Sequence, residues 1–223
     1  MYEVEQKYPL ADVAEVEAVL ARLGATWHGT AEQVDRYFNH PSRDYAVTDE
    51  ALRLRRTDDR LAITWKGPRL DATAKTRREI ELPLVEAAVP AAAGVEAAVP
   101  AAARVESAVP TAARLEVAAL STLDRWTELL EALGFRQVRE VTKRRRLATV
   151  VWQGAAIEIA VDQVAGLGDF VELELRTDDA GIAAAAARIE SLARELGCTA
   201  PERRSYLEML LAGPEVQPRR ASG

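Results

Sequence analysis

The sequence is short of several features that mark particular classes of protein. It contains one cysteine, Cys198, in 223 residues, which excludes an internal disulfide framework and fits a reducing cytosol. No apolar run reaches the roughly 18 residues that a membrane span needs. The first residues have neither the basic n-region nor the apolar h-region of a signal peptide. We therefore expect a cytoplasmic protein that does not interact with membranes.

Basic charge is also scarce. Lys and Arg number 29 against 35 Asp and Glu, and the net charge is -6. We do not expect this chain to bind nucleic acid nonspecifically, because such binding relies on an excess of Lys and Arg. The sequence also lacks a Ser/His/Asp set, a CxxC pair and a P-loop. Any basic cluster must therefore be local.

The first stretch that carries chemistry is residues 2–8, YEVEQKY. In a β-strand, side chains alternate between two faces, so Glu3, Glu5 and Lys7 lie on the same face. Two carboxylates about 7 Å apart repel each other unless a cation lies between them. The stretch is therefore either a solvated strand face or half of a site for a divalent metal that carries a polyanion.

Eight predicted strands share this division into a charged face and an aliphatic or aromatic face. Their acidic residues are Glu3, Glu5, Glu79, Glu81, Glu158, Asp162, Glu172 and Glu174. Their basic residues are Lys7, Arg53, Arg55, Lys66, Arg77, Lys143 and Arg145. Many of these charges form same-face pairs of one sign, at 3/5, 79/81 and 172/174 for the acids and at 53/55 and 143/145 for the bases. Such pairs gain nothing on a solvated face, but they suit a multivalent ligand.

Two architectures fit this pattern. One is an ordinary antiparallel sheet with a salt-bridged outer face. The other is an α+β fold in which an eight-stranded antiparallel β-barrel forms a tunnel, with the helices packed outside and the charged faces inside. We favour the tunnel, because the amphipathic helices need the aliphatic strand faces as partners. A tunnel lined by both signs is costly to keep dry. A triphosphate with Mg²⁺ or Mn²⁺ would suit it, with carboxylates on the metal and bases on the phosphates.

Helix caps are predicted at three positions, Asp12, Ser121 and Ser205, the last with Glu208 three residues on. Asp12 caps a first helix, with Glu15 placed as in a capping box, and Gly24 ends it. Ser121 caps a later helix. The side chains predicted to face inward from this later helix are Leu123, Trp126, Leu129, Leu130 and Leu133.

The segment 85–119 differs in composition from the rest. It repeats a decapeptide of the type VEAAVPAAAG, with a proline in the middle of most units. Proline breaks a helix, and so few large side chains bury little area. We interpret the segment as an insertion without chemistry in a surface loop of a single domain, residues 1–212. Residues 213–223 are predicted to be a disordered tail.

Taken in order, these residues resemble the CYTH superfamily, the triphosphate tunnel metalloenzymes. The opening Glu-x-Glu-x-Lys of that family matches residues 3–7. The later landmarks are Arg-x-Arg at 53/55, Thr-x-Lys-Gly at 64–67, Arg-x-Glu-x-Glu at 77–81, Lys-x-Arg at 143/145, Asp162 and Glu-x-Glu at 172/174. The resemblance implies an eight-stranded antiparallel tunnel and an enzyme that processes triphosphates with Mg²⁺ or Mn²⁺.

Within the superfamily the chain is most similar to the class IV adenylyl cyclase branch. The similarity lies in Asp162, residues 166–170, Glu172 and residues 204–206. It implies conversion of ATP to cyclic AMP and pyrophosphate. Glu174 departs from it, because this second glutamate is typical of the triphosphatases. Hydrolysis of inorganic or thiamine triphosphate is therefore the alternative, and a noncatalytic polyphosphate- or nucleotide-binding module is a further one.

The resemblance also implies roles for individual residues. The metal ligands would be Glu3, Glu5, Glu79, Glu81, Asp162, Glu172 and Glu174, of which Glu79 and Glu81 either hold a second metal or orient the bases. The substrate-binding residues would be Lys7, Arg53, Arg55, Lys66, Arg77, Lys143, Arg145 and Arg204. The catalytic residues would be Lys7, Lys66, Lys143 and Arg145. The expected partner is a nucleoside triphosphate or another triphosphate, and a homodimer is compatible with an exposed helix layer.

Overall fold

A computed structural model describes residues 2–69, 77–85 and 112–213 of the chain. Residues 86–111, which make up most of the predicted insertion, and residues 214–223 of the predicted tail lie outside the described residues. Among the helices in the described ranges, none is long and apolar enough to cross a membrane.

Eight strands and five α-helices make up the described part of the chain. The strands are β1 (Tyr2–Leu10), β2 (Thr26–Asn39), β3 (Ala51–Thr57), β4 (Arg60–Arg69), β5 (Arg77–Val85), β6 (Arg136–Trp152), β7 (Ala155–Val164) and β8 (Gly168–Thr177). The helices are α1 (Val13–Arg22), α2 (Tyr45–Thr48), α3 (Ala112–Ala132), α4 (Ile182–Glu195) and α5 (Tyr206–Ala212), with a 3₁₀ turn at Asp179–Gly181.

The strands form one antiparallel sheet in the order β1-β8-β7-β6-β2-β3-β4-β5. The sheet curls into a half-barrel with helices outside, which confirms the predicted α+β fold. Strands β1 and β5 are its two edges, and within the described residues they are not paired with each other. Their ends still approach, since Lys66 and Glu79 both influence the ionisation of Glu3.

The aliphatic strand faces pack against the outer helices, as predicted. One core joins β1, β6, β7 and β8 to α1 and α4, and Val4, Ile159 and Leu192 are fully buried in it. A second core joins β2, β3 and β4 to α3 around Leu54 and Leu123. Because the side-chain period of a strand is two, burying these apolar residues turns the alternate, charged residues toward the concave side.

The prediction that Ser121 caps helix α3 is wrong. The helix begins at Ala112, so Ser121 lies within it rather than at its N-cap. Alanine is the strongest helix former, and the alanine-rich turns before Ser121 extend the helix backward. Leu123 and Leu130 are buried as predicted, but Leu129 and Leu133 are exposed. Over its last turns, the helix packs Leu123 and Leu130 against the convex side of the sheet, while Leu129 and Leu133 face solvent.

Helix α5 does not belong to the outer layer. Ser205 caps it through a capping box with Glu208. Its first residue, Tyr206, packs against Phe170 and Val141 in a third core. This core lies on the concave face of the sheet, the face that carries the charged residues. The end of the described chain is thereby placed beside the charged side chains of the half-barrel.

Candidate functional site

The concave side of the sheet encloses a cavity of about 1020 Å³. All eight strands and α5 contribute to its lining. The predicted site residues that line it are Glu3, Glu5, Lys7, Arg53, Arg55, Lys66, Arg77, Glu79, Glu81, Lys143, Arg145, Glu172 and Glu174. Asp162 and Arg204 are not part of the lining. The fold therefore gathers nearly the whole predicted set around one space.

One side of the cavity, which we call the basic wall, consists of Arg53, Arg55, Lys143 and Arg145. Its first pair shares a carboxylate that the sequence analysis overlooked, Asp35 on β2. Arg55 donates to Asp35 through Nε at 2.6 Å and through Nη2 at 2.7 Å, and Nη1 of Arg53 lies 3.7 Å from the same carboxylate. Burial opposes ionisation of Asp35, but these two guanidinium groups hold its pKa well below the usual range. The Nε atom of Arg53 is buried and has no hydrogen-bond partner in the part of the chain that the structure describes.

The second pair of the basic wall is organised by Asp162, which is 0% exposed. Its carboxylate accepts hydrogen bonds from Lys143 Nζ at 3.1 Å, from Arg145 Nε at 2.7 Å and from the Tyr206 hydroxyl at 2.9 Å. Arg145 also forms an ion pair with Glu172. Burial and the neighbouring Arg145 charge lower the pKa of Lys143 to about 8. The structure thus places Asp162 behind the lining, where it orients bases, and its metal role remains a prediction.

Lys7 is 1% exposed and is held by the segment that leads into α5. Its ammonium donates to the main-chain carbonyl of Arg204 and lies 4.0 Å from the centroid of the Tyr206 ring. The main-chain N–H of Glu202 donates to the Lys7 carbonyl at 2.7 Å. The Arg204 guanidinium pairs with Glu202 at 2.6 Å. Arg204 therefore contributes through its backbone, and the predicted contact of its side chain with substrate stays a prediction.

Glu79 and Glu81, on β5, contact polar side chains of neighbouring strands. Lys66 Nζ lies 2.8 Å from Glu79, and Arg53 Nη2 lies 3.8 Å from it. The Thr64 hydroxyl donates to Glu81 at 2.9 Å. Of the two roles predicted for Glu79, these contacts correspond to the orientation of bases.

Another part of the cavity lining, which we call the acidic wall, consists of Glu3, Glu5, Glu158 and Glu174. Glu174 lies directly across from Glu5 on β1 and from Glu158 on β7. Burial, followed by the charges of Glu3 and Glu158, raises the pKa of Glu174 to about 7, although Arg176 donates to it at 3.2 Å. Burial also raises the pKa of Glu3, against the opposing charge of Lys66. Like charges are crowded here at a cost to the fold.

The donor chemistry of the acidic wall fits a divalent cation. Carboxylate oxygens are the ligands that Mg²⁺ and similar hard cations prefer, and a cation would relieve the repulsion that raises the pKa of Glu3 and Glu174. Within the three described ranges, no group of three acidic, histidine or cysteine side chains is already arranged to hold a metal. The side chains of the acidic wall would therefore have to turn toward the ion.

Sequence reasoning missed the roles of Asp35, Tyr206 and Glu158. Asp35 lies on the face of β2 that points into the cavity, and it pairs with Arg55 of β3 in the sheet. Its position on the charged face of a predicted strand could have identified it. Glu158 was recognised as a polar-face residue but was given no role. Tyr206 belongs to the 204–206 stretch that carries the family resemblance, but it was given no role, because its contacts arise only where α5 packs against the inside of the half-barrel.

Comparisons with known proteins identify the family of this chain. The family model of the CYTH domain matches residues 1–206. "Putative adenylate cyclase MJ0240" of Methanocaldococcus jannaschii is 30% identical over 80% of this chain and 79% of that protein. "Adenylate cyclase CyaB" of Aeromonas hydrophila is 26% identical over 92% of this chain and 86% of that protein. The solved structure of the PH1819 protein from Pyrococcus horikoshii OT3 is 33% identical, with a TM-score of 0.69, and covers 95% of this chain and 99% of that one. With its charged cavity and this match along nearly the whole chain, the protein belongs to the CYTH domain family.

Proposed function

We propose that this protein is a divalent-metal-dependent enzyme that converts ATP to cyclic AMP and pyrophosphate. The observation that carries the proposal is that an acidic wall and a basic wall line the same cavity. In the basic wall, Arg53 and Arg55 share the carboxylate of Asp35, and among the described residues the buried Nε of Arg53 has no hydrogen-bond partner. A buried donor without an acceptor costs free energy. A polyanion such as a triphosphate would supply the acceptors.

The reaction follows from how the triphosphate would be held. Arg53, Arg55, Lys143 and Arg145 would bind phosphate oxygens and neutralise the charge that develops on the leaving pyrophosphate. The ribose 3′-hydroxyl attacks the α-phosphorus, the bond from that phosphorus to the bridging oxygen breaks, and the hydroxyl proton is lost. Mg²⁺ or Mn²⁺ bound by Glu3, Glu5 and Glu174 would add charge neutralisation and alignment of the phosphates.

The names of two relatives support the cyclase rather than another triphosphate reaction, since one is called "Adenylate cyclase CyaB" and the other "Putative adenylate cyclase MJ0240". One specific observation favours the alternative, a triphosphatase in which water attacks the terminal phosphorus. Glu174, which is typical of the triphosphatases, lines the cavity as part of the acidic wall. A Hippeastrum protein of the same fold, 16% identical, is described as an adenylyl cyclase candidate with a dominant triphosphatase activity.

Product identification tests the proposal. Purified protein receives ATP, tripolyphosphate or thiamine triphosphate in parallel, each with Mg²⁺ or Mn²⁺, and a metal-free sample with chelator serves as the control. We expect cyclic AMP and pyrophosphate from ATP, only with metal. Orthophosphate as the sole product would replace the cyclase with a triphosphatase. Binding without turnover of any substrate would indicate a noncatalytic module.

A further inference from the structure

One part of the cavity lining is not explained by phosphate or metal. Among charged residues, the lining includes Val138 on β6 and Leu207 and Leu211 on α5. Val138 is 41% exposed and Leu211 is 54% exposed. We call these three side chains the apolar lip. Exposed apolar side chains that polar residues surround in a cavity are typical of a ligand-binding surface.

The backbone at Val138 is irregular in a way that directs its side chain. Tyr37 on β2 pairs with Arg139, and Phe38 pairs with Gln137, so Val138 has no partner residue in this register. This is a β-bulge, with one extra residue on β6. Bulges are frequent at the rims of barrels and beside active sites, where they re-aim a side chain. Here the bulge brings an apolar side chain into the lining of the cavity.

The lip lies beside the phosphate-binding residues. Tyr206 contacts Lys7 and lies 5.1 Å from Lys143 Nζ, measured to the ring centroid. Leu211 follows Tyr206 by five residues in the same helix, which is about 7.5 Å along the axis. The same ligand can therefore reach the basic wall and the lip.

Polar groups near the lip are engaged in local structure. The Asn39 side chain donates to Asp44 and accepts from the Tyr45 N–H. Glu208 accepts from the Ser205 N–H as part of the α5 cap. These two side chains are used for a turn and a cap, whereas the apolar side chains of the lip are exposed to the cavity.

We propose that the apolar lip receives the heterocyclic base of a nucleoside triphosphate whose phosphates occupy the basic wall. This inference rests on the proposed function and deepens it, because it makes an organic triphosphate, not inorganic tripolyphosphate, the preferred substrate. A cavity of about 1020 Å³ is large enough for such a ligand. The base covers the lip, and its planar faces need no hydrogen bonds there.

The test compares two ligands on the full chain with metal present. The dissociation constants of ATP and tripolyphosphate are measured for wild type, Val138→Asn and Leu211→Asn. The control is Val151→Asn, on the same strand as Val138, 71% exposed and away from this cavity. We expect each lip variant to weaken ATP binding about tenfold, the scale of a lost apolar contact. Tripolyphosphate binding should stay within about twofold, which also shows that the variants are folded.

Other outcomes overturn the inference in distinguishable ways. Equal weakening of both ligands, or no effect on either, sinks the lip as a base site and leaves the proposed function intact. If wild type binds tripolyphosphate more tightly than ATP, this result alone also contradicts the lip as a base site. If wild type binds neither ligand, both the proposed function and this inference fail.

Discussion

The acidic and basic walls line the same cavity, yet they are built in opposite ways. In the basic wall, aspartates lie between the cations, with Asp35 shared by Arg53 and Arg55 and Asp162 shared by Lys143 and Arg145. In the acidic wall, Glu174 instead faces other carboxylates across both neighbouring strands. The basic wall is therefore organised before ligand arrives, whereas the acidic wall is a set of charges that a cation would organise.

The largest expected difference between the walls is in turnover. Glu5→Ala should lower turnover about 100-fold or more, because the charge stabilisation it supports matters most in the transition state. Binding of tripolyphosphate to the same variant should change far less. Arg53→Gln, the matched change in the basic wall, should weaken binding itself. Calorimetry and product assays on both variants test this. If both variants lose tripolyphosphate binding equally, the two walls do not have separate roles in turnover and binding.

The second difference is in stability, and Asp35 is the residue to change. Asp35→Ala should lower the free energy of unfolding by about 3–5 kcal/mol, because it leaves the Arg55 charge without its carboxylate and the Arg53 charge with only the longer contact to Glu79. Asp124→Ala is the control. It removes an exposed carboxylate that lies 3.0 Å from Arg36, and such pairs are worth about 0–1 kcal/mol. Urea denaturation measures both, and similar losses would contradict the role given to Asp35.

The same residue predicts a dependence on pH. The pKa of Asp35 is held below its usual range in the folded state, whereas in the unfolded chain it is near 3.9. The stability that Asp35 contributes is therefore present above about pH 4 and is lost as the pH falls toward its folded pKa. Asp35→Asn should be less stable than wild type at pH 7 but close to it near pH 2. A constant difference between the two unfolding curves at all pH values would rule this out.

The smallest effect should have the opposite sign. Glu174→Gln should stabilise the metal-free protein by about 1 kcal/mol at neutral pH, because it removes one of several crowded carboxylates in a partly exposed place where solvent screens the repulsion. Added Mg²⁺ or Mn²⁺ should then stabilise wild type more than the variant. Thermal unfolding with and without metal measures both quantities. A destabilised metal-free variant would mean that the acidic wall is as self-supporting as the basic wall.

Much of the site could be predicted because strand alternation is local. A charged residue at every second position beside a buried aliphatic one gave the inward residues Glu3, Arg53 and Lys143 without knowledge of strand pairing. Asp35 was overlooked because its importance depends on the partner strand β3, which brings Arg55 directly opposite. The apolar lip was not predicted either, since a β-bulge follows from the pairing of β2 and β6 and has no mark in the sequence.

The sequence by itself determined that the chain forms eight strands with one charged face, and that the charges fall into pairs of one sign. Alternation and the apolar stripes of the helices are enough for that. Only the tertiary structure decided which carboxylates serve cations and which repel one another. Asp162 and Glu172 lie beside Arg145, while Glu174 lies across from Glu5 and Glu158. The reason is that cross-strand register and burial, both set by the curled sheet, choose the neighbour of each charge and how far solvent screens it.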